Sequence, residues 1–144
     1  MSRDFVMPER EYGRNYLATA QIADLPTLAE RILADLQTIA SRELAAGADL
    51  SIHVRGSKRL TLCLGGLANG YLFACLRTRR PSEEAQELIK RAYQLLDTYN
   101  WRTLNDARDV RFLPNVVVVS EEDYGSDRWT PGVVVHEHDD WRSQ

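Results

Sequence analysis

His136 and His138 flank Glu137 and are followed by Asp139 and Asp140. On a strand, residues two apart point to the same side, so both imidazoles could meet one metal ion, with Asp140 adding a carboxylate. His136, His138 and Asp140 are therefore the candidate metal set. The only other histidine is His53, and nothing in the sequence places it nearby. The plainer reading, a solvated polar tail, is preferred, and no cofactor is expected. The carboxylates of Glu121-Glu122-Asp123 and Asp139-Asp140 would do acid–base work only if one were buried with its pKa raised. The sequence offers no apolar enclosure for them, so a solvated loop is the preferred reading. Cys63 would need an exposed face shared with His53 and a lowered thiol pKa to act as a nucleophile. It stands opposite Leu60, Leu62 and Leu64, and Cys75 shares a face with Tyr71 and Phe73, so both read as small core hydrophobes. No G-x-S-x-G motif occurs. The run Gly65-Gly66-Leu67-Ala68-Asn69-Gly70 fits no phosphate-binding pattern and reads as a hairpin loop. Catalysis is not expected.

The strongest regional signal is charge segregation. From Glu121 to Asp140 there are seven acidic residues against Arg128, with Tyr124, Trp129 and Trp141 among or beside them. Acidic residues steer a basic partner and aromatic residues anchor interfaces. The expected contact surface is thus Glu121, Glu122, Asp123, Tyr124, Asp127, Trp129, Asp139 and Trp141, facing a basic protein. Basic residues gather at Arg55, Lys58 and Arg59 and at Arg77, Arg79 and Arg80, with few aromatics between them. Together with the net charge of −3, this argues against a dedicated nucleic-acid binder.

A length of 144 residues suits one domain, and 44% hydrophobic with 27% charged residues excludes a wholly disordered chain. No apolar run is long enough to cross a membrane. The charged start Met1–Pro8 lacks the apolar stretch of a leader, and two cysteines make no disulfide framework, so a cytoplasmic location is expected. Sixteen arginines against Lys58 and Lys90 suit GC-rich bacterial coding.

These candidates need elements to position them. Residues 1–14 read as a loose arm and residues 15–144 as one domain. Alternation over Tyr16–Ile22 predicts a first strand. Thr27-x-x-Glu30 has capping-box spacing, and Leu28, Ile32, Leu36 and Ile39 share a face, so a helix is expected over Thr27–Ala46, stopped by Gly47. Three strands follow as an antiparallel meander: Asp49–Arg55, the strand of Leu60, Leu62 and Leu64, and Tyr71–Arg77, joined at Gly56-Ser57 and around Gly65-Gly66. Ser82 with Glu83 and Glu84 starts a second helix. Residues 100–114 show no clear period. The valines of Val116–Val119 predict a central strand, and Val133–Val135 a last one. The expectation is an α+β two-layer sandwich, an antiparallel sheet in the order β-α-β-β-β-α-β-β covered by two helices.

The run from Thr27 to His136, with Asp49–Arg80 as meander, Ser82–Tyr99 as second helix and Val116–Ser120 as following strand, resembles the type III secretion chaperone-like fold, including the YbjN-type proteins. That resemblance implies a small, non-catalytic, often dimeric protein, so a homodimer is one possible state, and the chaperone reading expects it together with a secreted client. In size, acidity and lack of catalytic residues the chain also resembles small bacterial immunity proteins, which implies binding to a toxin.

Overall fold

Asp24 opens the longest helix. In the computed structural model, which describes residues 10–44, 47–75, 77–78, 80–104, 106–120 and 134–137, its carboxylate accepts from the Thr27 N–H at 2.9 Å and from the Thr27 hydroxyl at 2.7 Å. These bonds, the hydroxyl's first, hold the carboxyl below the usual aspartate range. The cap is therefore Asp24 and not the Thr27–Glu30 box, and Pro26 falls in the first turn, where a missing N–H costs nothing. Helix α2 runs Leu25–Glu43, with Leu28, Ile32 and Leu36 buried on the expected face. Helix α4, Glu83–Asp97, starts as expected at Ser82, whose Oγ accepts from Ala85 N at 2.9 Å and donates to the Tyr71 carbonyl at 2.6 Å.

The hairpin is formed by β2, Asp49–Arg55, and β3, Arg59–Leu67, paired from Asp49↔Gly65 to Arg55↔Arg59. Its loop spans three residues, with Gly56 at φ +61°, a conformation that suits glycine. The expected turn at Gly65-Gly66 lies inside β3, where the register shifts between Leu64 and Leu67. The expected third meander strand is likewise absent. Tyr71 and Leu72 N–H both donate to the Ala68 carbonyl, which closes one helical turn, α3, Asn69–Leu72. Strand β4, Phe73–Cys75, then pairs, among the described residues, with β5, Arg80–Pro81, in a separate two-stranded sheet.

Strand β8, Leu113–Ser120, carries the valines to the interior of a four-stranded sheet ordered β2-β3-β8-β9, with β9 spanning Val134–Glu137. β8 runs parallel to β3 and antiparallel to β9. The sheet is thus mixed and not antiparallel throughout, because the α4 crossover brings the chain back to the end of the hairpin from which β3 starts. The α+β architecture holds: Leu60, Leu62, Leu64, Val116 and Val118 form one core cluster with the apolar faces of α2 and α4. Cys63, Val117 and Val119 make a second cluster on the opposite face.

Two other expectations are corrected. The segment Tyr16–Ile22 is no strand but a helical turn, α1, Tyr16–Thr19, in which Thr19 Oγ1 donates to the carbonyls of Asn15 and Tyr16. Residues 10–12, expected in a loose arm, form β1, Arg10–Tyr12, in a three-stranded sheet ordered β1-β6-β7. Its partners β6, Trp101–Thr103, and β7, Asp106–Val110, arise from the stretch that showed no period. No helix among the described residues is long and apolar enough to cross a membrane.

Candidate partner-binding surface

The strand β1 is short and wholly exposed, so other contacts must hold it. Gly13 N–H donates to the Asn100 carbonyl at 2.8 Å, and Asn15 N–H to the Thr98 carbonyl at 2.8 Å. A Cβ on Gly13 would lie 2.3 Å from the carbonyl oxygens of Asp97 and Thr98, so only glycine allows this approach. Asn100 is buried and works as a backbone surrogate. Its Nδ2 donates to the Phe112 carbonyl at 3.0 Å, and its Oδ1 accepts from Trp101 N at 3.0 Å and Phe112 N at 3.2 Å.

Arg111 completes the support. Its guanidinium donates to the carbonyls of Thr19, Ile22 and Tyr99 and to the Thr19 hydroxyl, and it lies 5.0 Å from the centre of the Tyr16 ring. One side chain therefore ties α1 and the end of α4 to the start of β8. Burial pulls its pKa down, against a smaller opposing influence of the neighbouring Tyr16. The carbonyl oxygens replace the water that the cation loses.

This framework presents an aromatic and arginine cluster to solvent. Tyr12 pairs with Trp101 across β1 and β6, and the Arg10 guanidinium sits 3.9 Å from the centre of the Trp101 ring. The Tyr12 and Tyr16 rings are 5.0 Å apart and tilted. Tyr12 is 55% exposed, with Leu17 beside Tyr16 at 83% and Leu104 beside Thr103 at 51%. A cleft of about 100 Å³ lies alongside, lined by Glu11, Gly13, Asn100 and Arg102 among others. Arg102 reaches Asp97 at 3.7 Å and Glu11 at 4.0 Å across it.

The expected acidic surface, Glu121, Glu122, Asp123, Tyr124, Asp127, Trp129, Asp139 and Trp141, lies outside the described residues, as do His138 and Asp140 of the candidate metal set. His136 falls in β9, next to Glu137, which pairs with Val117. Among the described residues no three His, Cys, Asp or Glu side chains gather as metal ligands would.

Cys63 lies directly across from Ser51, whose hydroxyl is 3.3 Å from His53 Nε2. The three groups do share one sheet face. Burial nevertheless pushes the Cys63 thiol up, against a smaller opposing bond from Ser51, which is the reverse of an activated nucleophile. Cys75 is only half-buried. Hydrogen bonds from Thr78, then from the Arg77 backbone, and the charge of Arg80 draw its thiol down.

The aromatic cluster escapes a reading of hydrophobic period because its strands are three residues long. The usable signal is alternation within them: Arg10 and Tyr12 are two apart, as are Trp101 and Thr103. Compared with protein-family models, curated proteins and solved structures, the chain matches none of them.

Proposed function

We propose that this chain is a non-catalytic protein-binding module of the bacterial cytoplasm, either an immunity protein that neutralises a toxin or a chaperone-like protein for a secreted client. The observation that supports it is the cluster of exposed Arg10 and Tyr12 with half-buried Trp101 on the small sheet and half-buried Tyr16 of α1 beside it. Aromatic and arginine side chains are the preferred anchors of protein interfaces, and exposed ones on a fixed backbone lose little entropy on binding. The segment with Glu121, Glu122, Asp123, Tyr124, Asp127, Trp129, Asp139 and Trp141 supplies the acidic field that draws in a basic partner. The raised Cys63 thiol speaks against nucleophilic chemistry on the sheet face.

The test is to recover the tagged chain from its native host after gentle crosslinking, identify what co-purifies, and measure metals on the same sample. One dominant basic protein at equal stoichiometry is expected, and its identity separates toxin from client. Charge reversal at Glu121, Glu122 and Asp123 then slows association with that protein and flattens its salt dependence. One metal ion per chain with no protein partner would overturn the reading in favour of His136, His138 and Asp140.

A further inference from the structure

Strand β2 forms one edge of the four-stranded sheet, and its outer side joins no ladder among the described residues. It is seven residues long, unusual for an edge left open, since such edges invite pairing with another strand. Its apolar residues Leu50, Ile52 and Val54 are only partly buried, although they pack against the main core. Neither Asp49 nor Arg55 has an ion-pair partner among the described residues, and Arg55 lies directly opposite Arg59, a like-charge pair that costs stability.

The sequence of this strand is complementary to itself when reversed. We propose that β2 pairs antiparallel with β2 of a second copy of this chain, about a twofold axis through Ile52. In that register Ile52 meets Ile52, Leu50 meets Val54, Ser51 meets His53 and Asp49 meets Arg55. All seven residues pair, and the apolar ones stay on the face that carries the helices. A slip of one residue sets Ile52 against Ser51 and turns apolar side chains to the polar face. A slip of two leaves the ends unpaired and separates Asp49 from Arg55. The twofold axis makes two Asp49–Arg55 pairs, and each brings a carboxylate beside the uncompensated Arg55 and Arg59 of the other copy. The contact is isologous, so assembly closes at two copies and builds an eight-stranded sheet. It uses a different strand from the partner surface and does not rest on that reading.

The experiment is sedimentation equilibrium on the full chain and on charge variants of these exposed end residues. The unsubstituted chain is expected at twice the chain mass. Asp49→Arg and Arg55→Asp each place like charges together twice and weaken the dimer by about tenfold or more. The double variant carrying both changes restores it. Mixing the two single variants yields a mixed dimer tighter than either alone, because both of its end pairs are then opposite in charge. A monomer at all concentrations, or a dimer whose affinity neither single variant changes, would overturn the proposal.

Discussion

Leu60, Leu62, Leu64, Val116 and Val118 of the four-stranded sheet are fully buried against α2 and α4, whereas Thr103 and Val110 are the buried side chains described in the three-stranded sheet. The first sheet is held by apolar area removed from water. The second is held by polar pins: Gly13 against the end of α4, Asn100 between two strands, and Arg111 among four oxygen acceptors. A sheet fixed in this way does not need its outer face for stability. That leaves Arg10, Tyr12 and Trp101 available for a partner.

The contrast can be broken from either side. Leu62→Ala should have the largest effect, about 2–5 kcal/mol, by opening a cavity in the main core. Urea unfolding should show one cooperative transition at lower midpoint. Arg111→Ala comes next, at about 2–3 kcal/mol, because the freed carbonyls of Thr19 and Tyr99 lose a charged donor. Hydrogen exchange should locate that loss in residues 10–22 and 101–110 while residues 59–64 and 116–118 keep their protection. Arg111→Lys should not rescue it, since an ammonium cannot span the same acceptors.

Ser82→Ala sharpens the comparison at about 1 kcal/mol, the usual worth of an N-cap, and should show as a small drop in thermal midpoint. The smallest effect is one of pH. Tyr99 donates to Asp35 at 2.8 Å, and burial, then that bond and the Asp35 charge, raise its pKa well above the ordinary tyrosine value. Its contribution is therefore fully present below about pH 10 and is lost as pH rises beyond it. The urea midpoint of the natural chain should fall more steeply above pH 10 than that of Tyr99→Phe. Equal slopes would remove Tyr99 from the account.

What was legible in the sequence follows the same division. Helix α4, the β2–β3 hairpin and the central valines rest on apolar periodicity, which is local and repeats within each element. The apolar period marks helix α2 to within a few residues, but Asp24 and Thr27 both have capping chemistry, and the structure gives the cap to Asp24. The parallel pairing of β3 with β8 is set by where the crossover returns, which no local pattern encodes. The three-stranded sheet has no such local period. Its hydrogen-bond donors in Asn100 and Arg111 act on residues up to 92 positions away, and Tyr16–Ile22 alternates convincingly although Thr19 is the residue buried. The acidic aromatic segment was legible as composition, and its residues lie beyond those described.

On the proposed reading the small sheet and the segment 121–141 meet the partner, while β3 and β8 of the large sheet serve as scaffold. Hydrogen exchange of the chain, free and in the recovered complex, tests it most directly. New protection is expected over residues 10–17, 101–104 and 121–141, with β3 and β8 unchanged. Protection confined to other surfaces, with residues 10–17 and 101–104 exchanging as in the free chain, would contradict it.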